Sequence, residues 1–149
     1  MRRFEEWLKV SGLVIEVRHF PDGTRTARDA ARAVGCEVGQ IVKSLVFVAG
    51  GQPLVVLASG ANRVDLAKLG LLAGGEPQQA DPDTAREATG YSIGGVPPFG
   101  HARRLPVFMD RDLLQYPVVW AAAGRPDAVF EIEPGRLQEL SSALVGDLA

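Results

Sequence analysis

A chain of 149 residues, 46% hydrophobic and 23% charged, holds the material for one buried core but not two, so a single domain over residues 1–149 is expected. A formal net charge of −2 argues against charge-driven, sequence-blind binding along nucleic acid, and apolar runs such as Leu54 to Ala58 are far too short to span a bilayer. The first seven residues lack the apolar stretch of a secretory signal, and the lone Cys36 can form neither an internal disulfide nor a thiolate zinc site, so a cytoplasmic protein is expected.

Phe4, Trp7 and Leu8 recur at helical spacing ahead of Gly12, which predicts a helix over residues 3–11. Leu13 to Phe20 reads as a strand and Pro21-Asp22-Gly23 as a turn. Thr26 is the expected cap of a second helix reaching Val34 and closed by Gly35. Ile41 to Val48 and Leu54 to Ala58, joined through Gly50-Gly51-Gln52-Pro53, predict a β-hairpin at the centre of the sheet. Val64 to Ala73 predicts a third helix stopped by Gly74-Gly75, and Asp81-Pro82 opens a fourth that ends at Gly90. Gly94-Gly95-Val96-Pro97-Pro98-Phe99-Gly100 packs three glycines and two prolines into seven residues and must be a shaped loop. Pro106 to Asp110, Val118 to Ala123 and Ala128 to Ile132 read as strands, and Pro134 starts a last helix carrying Leu137, Leu140 and Leu144. Hairpins with helices grouped between them predict a mixed α/β (α+β) single domain: a mostly antiparallel sheet or barrel flanked by helices.

Lys43 interrupts an apolar strand, and the period of two places it on one face with Ile41, Leu45 and Phe47. An ammonium there is either desolvated for a purpose or snorkels to water at the strand end; at a pocket mouth it binds phosphate or carboxylate as a point charge. The Gly94–Gly100 loop is the second candidate, because its glycines let backbone N–H groups approach a ligand and amides of this kind stabilise charge developing on a carbonyl oxygen. A plain surface connection is the competing reading. His101 directly after it could act as general acid or base, contact a ligand, or be an ordinary solvated histidine beside Arg103-Arg104. Cys36 has no activating base beside it, and Asp110, Arg111 and Asp112 read as a strand end capping a short helical turn.

Three stretches then resemble one family, that of YbaK and the editing insertion domain of bacterial prolyl-tRNA synthetases. Gly39 to Phe47 resembles the strand bearing the family's active-site lysine, at Lys43. Ser59 to Leu69 resembles its glycine turn and following helix, and Ala88 to Gly100 its glycine and proline loop, in which Gly94 and Pro98 match the residues that frame the substrate. The similarity runs from about Val17 to Leu140.

The resemblance implies a free-standing aminoacyl-tRNA deacylase, a trans-editing hydrolase of translation fidelity that cleaves the ester of a mischarged tRNA, tRNA-Pro or a related one carrying a small wrong amino acid. Lys43 is expected to position the terminal nucleotide, the amides of Gly94 and Gly95 to hold the carbonyl, and a substrate hydroxyl to help activate water. Thr26, Ser59 and Pro98 are expected to border the substrate, with His101, which is no general family feature, added as a substrate-binding candidate. No metal and no cofactor are implied. The expected partner is the acceptor end of an aminoacylated tRNA, with prolyl-tRNA synthetase a further candidate and a homodimer left open; no membrane is involved. Where some members carry an aspartate in the late strand, this chain has Val129, which leaves the edited amino acid open among alanine, cysteine, serine, threonine and small non-protein residues. The alternatives are a non-catalytic tRNA- or synthetase-binding module of the same fold and a thiol hydrolase using Cys36 and His101.

Overall fold

The computed structural model describes residues 2–20 and 26–149, so the turn expected at Pro21-Asp22-Gly23 lies outside the described residues. Along the chain come α1 (Arg2–Ser11), β1 (Val17–His19), α2 (Ala27–Val34), β2 (Val42–Ala49), β3 (Gln52–Ser59), α3 (Leu66–Ala73), β4 (Pro77–Gln79), α4 (Pro82–Thr89), β5 (Val107–Asp110), β6 (Val119–Ala122), β7 (Ala128–Ile132), α5 (Pro134–Ser141) and β8 (Leu144–Gly146). The α+β expectation holds, with two open sheets rather than a closed barrel. One has five strands in the order β4-β2-β3-β5-β8, the other three in the order β1-β7-β6. β3 with β5 and β5 with β8 pair in parallel, and the remaining strand pairs are antiparallel. A single parallel bridge between Ile41 and Trp120 brings the start of β2 against β6 and so joins the two sheets at one corner.

Local chemistry explains the element ends. Gly50 and Gly51 both take positive φ, 58° and 78°, the two-residue turn whose twist matches that of the flanking strands. The caps of α2, α3 and α4 are Thr26, Asp65 and Asp81, whose side chains accept from the amides of Asp29, Lys68 and Thr84. β3 is buried from Pro53 to Ser59, which makes it the central strand.

Both faces of the large sheet are covered. Val42, Val46, Val55, Leu57 and Met109 pack toward the small sheet and α1, where Phe4, Phe99 and Phe130 meet with ring centroids 5.7 to 5.8 Å apart. Phe47, Leu54, Val56, Ala58 and Phe108 pack on the other face against Leu69 of α3 and Leu148. A third cluster joins Ala30 and Ala31 of α2 to Ile41, Trp120 and Val129. Each fully buried large side chain contributes roughly 1.5–3 kcal/mol of transfer free energy.

Two expectations are corrected, and one strand is new. The first strand is confined to Val17–His19, because only those residues find partners on β7, while Val14 is 93% exposed. Leu144 does not continue the last helix: Ser142 adopts a left-handed φ of 55° and ends it, and Leu144 enters β8, paired with Phe108. Leu144 lies seven residues beyond Leu137, two helical turns, so the periodicity alone could not separate the two outcomes. β4, three residues beginning at a proline, carried no pattern to detect. No helix among the described residues is long and apolar enough to cross a membrane.

Candidate active site

Where α2, the start of β2, the small sheet and the Gly94–Gly100 loop meet, they enclose a cavity of about 310 Å³. Its walls are mainly apolar: Ala27 and Ala30 from α2, Val42 and Val46 from β2, Trp120 and Ala121 from β6, and Val129 from β7. Thr26, Lys43 and Gly94, three of the residues singled out from the sequence, all line it. Val129 is a wall residue only 6% exposed, so that side of the cavity offers contact but no charge. Trp120 is held from outside by Arg18, whose guanidinium sits 4.8 Å from the ring centroid.

Lys43 is neither fully buried nor free. Leu45 and Phe47 share its face, as expected, whereas Ile41, outside the strand, packs with α2 instead. The Lys43 Nζ donates to the Asn62 main-chain oxygen at 2.6 Å. Desolvation pushes its ammonium pKa below the ordinary 10.5 and Arg63 pushes the same way, while the Asp110 carboxylate opposes both. Asp110 is 1% exposed and accepts from the Ser59 amide (3.2 Å), the Asn62 side-chain amide (2.9 Å) and the Asp112 amide (3.0 Å). The expected cap of the turn over Arg111–Gln115 is therefore there, but its second oxygen reaches the residues that hold Lys43. That role could not be read from the sequence, because the partners lie 48 and 51 residues away.

The loop requires glycine for reasons other than room for a ligand. Gly94 has φ 90°, and a Cβ there would find nothing nearer than Pro126 at 3.8 Å, so conformation, not space, demands glycine. A Cβ on Gly95 would lie 2.9 Å from the Arg125 Cα, and its amide donates to Ser92 O at 3.0 Å. The Gly95 amide, expected to hold a carbonyl, closes a turn in this structure.

Pro98, His101 and Ser59 fall behind the cavity rather than in it. Pro98 and His101 line a separate groove with Trp7 and Arg104. The His101 Nε2 sits 2.7 Å from Pro97 O, and burial pushes its pKa below 6.5, so it props the loop from behind. Ser59 is 1% exposed and donates its hydroxyl to Gly39 O at 2.7 Å, building the turn under Lys43 rather than facing the cavity. The Thr26 hydroxyl is engaged in capping α2 at the cavity rim. Cys36 follows α2 with its thiol pKa raised by burial and by Glu37, and its sulfur donates to Glu37 O at 3.3 Å, so neither a thiolate nor a pairing with His101 is built.

The comparisons agree with this arrangement. A family model of the aminoacyl-tRNA editing domain matches residues 21–140. YwhH of Bacillus subtilis, whose function is uncharacterised, is 31% identical over 143 residues, 95% of this chain and 88% of that protein. EbsC of Enterococcus faecalis, provisionally named a Cys-tRNA(Pro)/Cys-tRNA(Cys) deacylase, is 28% identical over 125 residues, covering 83% of this chain and 76% of that one. A solved structure, provisionally described as a trans-editing enzyme for prolyl tRNA synthetase, superposes with a TM-score of 0.93 at 51% identity, over 99% of this chain and 94% of that one. The proline–tRNA ligase of Elusimicrobium minutum matches over 93 residues at 34% identity, 62% of this chain and 16% of the ligase. With the family model spanning residues 21–140, and Lys43 and Gly94 meeting on one cavity, this chain belongs to the aminoacyl-tRNA editing domain family.

Proposed function

We propose that this protein is a trans-editing deacylase that hydrolyses the ester between a small, wrongly attached amino acid and the terminal ribose of a tRNA, tRNA-Pro or a related one. The observation that carries this is the meeting of Lys43 and Gly94 on one cavity whose other walls are mainly apolar. A cavity of about 310 Å³ walled by alanine, valine and tryptophan suits a small uncharged side chain. Lys43 at the rim binds the terminal nucleotide through its phosphate, and the main-chain N–H of Gly94 stabilises the oxyanion formed when water adds to the carbonyl carbon. The intermediate then expels the ribose oxygen, which takes up a proton, leaving free amino acid and an uncharged tRNA. A hydroxyl of the substrate helps to orient the water, since Lys43 is the one charged side chain on the cavity wall among the described residues. The names borne by EbsC and by the structural neighbour support a proline tRNA as substrate, and membership of a tRNA-editing family supports a cytoplasmic reaction.

The test is deacylation of proline tRNA charged in turn with alanine, cysteine, serine and threonine. Hydrolysis of at least one, lost by a factor of about a hundred or more in a folded Lys43→Ala variant, is the expected result. Turnover unchanged in that variant would remove Lys43 from the site.

A further inference from the structure

Three strand ends converge beneath the Lys43 ammonium. Because β3 lies between β2 and β5, the end of β3 brings Ser59 and the turn to Asn62 alongside Lys43, whose register partner is Ala58, and alongside Asp110 at the end of β5. Asp110 is a carboxylate 1% exposed, and its hydrogen-bond donors, the Ser59 and Asp112 backbone amides and the Asn62 side-chain amide, are all neutral. A carboxylate kept out of water is costly and is retained where its charge or geometry is used. Asn62 is clamped twice, since its side-chain amide also donates to the Asp112 carboxylate at 2.7 Å, and its main-chain oxygen is the acceptor for Lys43 Nζ.

We propose that Asp110 and Asn62 are positioning residues for Lys43: the buried carboxylate fixes Asn62, and Asn62 fixes the ammonium at the cavity rim. The proposal rests on the deacylase reading given above. The charged groups around the ammonium are Asp110 from the end of β5, Asp112 from the turn that follows it, and Arg63 from the turn after β3. Desolvation and Arg63 act against the charged form and Asp110 acts for it, so loss of the carboxylate leaves an ammonium that gives up its proton more readily.

The test uses the full chain, its Asp110→Asn and Asn62→Ala variants, and both changes combined with Lys43→Ala. The Lys43 side chain, followed through its ε-carbon resonance, is expected to titrate at lower pH in Asp110→Asn than in the wild type. Deacylation of the mischarged proline tRNA that the wild type hydrolyses best should fall about tenfold or more in each single variant, mainly in kcat. On a Lys43→Ala background the same changes should alter the residual rate by less than about twofold, because residues acting through one group are not additive. Asn62 is half-buried in a turn, so if Asp110→Asn fails to fold, Asn62→Ala and its combination with Lys43→Ala decide the matter. An unmoved Lys43 titration in folded Asp110→Asn, or a loss of rate as large without Lys43 as with it, overturns the proposal. If the wild type deacylates none of the charged tRNAs, the deacylase reading fails, while the Lys43 titration still shows whether Asp110 governs the ammonium.

Discussion

His101 illustrates how a residue chosen for chemistry can serve the backbone instead. Pro97 O can only accept, so the ring nitrogen 2.7 Å from it, Nε2, carries the proton of the neutral imidazole, and a second proton must be added on the buried ring at Nδ1. Burial lowers the folded pKa below the ordinary 6.5. Above pH 6.5 folded and unfolded chains both hold the neutral ring, and this group adds no pH dependence. As pH falls below 6.5 the unfolded chain takes up a proton that the folded chain refuses, so stability falls until the folded pKa is passed. Urea unfolding between pH 7.5 and about 5 should therefore show an acid loss of at most about 1.4 kcal/mol per pH unit from this group. His101→Gln, which can still donate to Pro97 O, should remove that part; an identical pH profile in the variant would show that the ring is solvated. At this scale the sequence disclosed Lys43, because a cation inside an apolar strand is conspicuous, but not Asp110 or Asn62. Their carboxylate and amide look like ordinary turn residues until the sheet order brings together segments about 50 residues apart.

Helix α2 shows the same division among elements. Its start, stop and cap were legible, since threonine before an alanine-rich run closed by glycine has a local cause, whereas its packing of Ala27 and Ala30 against the cavity depends on β6 and β7. β4 and β8, three residues each, exist only because β2 and β5 offer open edges, so no local pattern announces them. Thr26 was expected to border the substrate, and it does line the cavity, yet its hydroxyl accepts from the Asp29 amide at 3.0 Å. Thr26→Ala should therefore cost about 1 kcal/mol of stability through loss of the cap, and Thr26→Asp, an equally good cap, should restore it. Melting and deacylation measured on both variants separate the two roles. If Thr26→Asp regains stability but not turnover, the side chain also meets the substrate; if it regains both, capping is the whole of its contribution.

For the molecule as a whole, charge decides how a tRNA is held. A net charge of −2 leaves no basic field for a long duplex, and several of the cations are already paired: Lys68 with Asp147, Arg103 with Glu87, Arg125 with Asp127. Among the described residues, those beside the cavity include Lys43 at the rim, Arg63 near it on the exposed turn after β3, and Arg18 stacked on Trp120. So small a set of cations fits the terminal nucleotides of an acceptor end and little more. Affinity for uncharged proline tRNA, measured across a salt series, should then fall with a shallow slope, equivalent to fewer than about six neutralised phosphates. Arg63→Ala should weaken binding and reduce that slope by about one, because an exposed arginine beside the nucleotide-binding lysine contributes as a phosphate contact rather than through burial. A slope equivalent to about six phosphates or more would mean that the protein grips the duplex along its length. In that event the contacts must lie outside the cavity rim, on a face that the distribution of charge does not reveal, and Arg63→Ala would leave most of the slope in place.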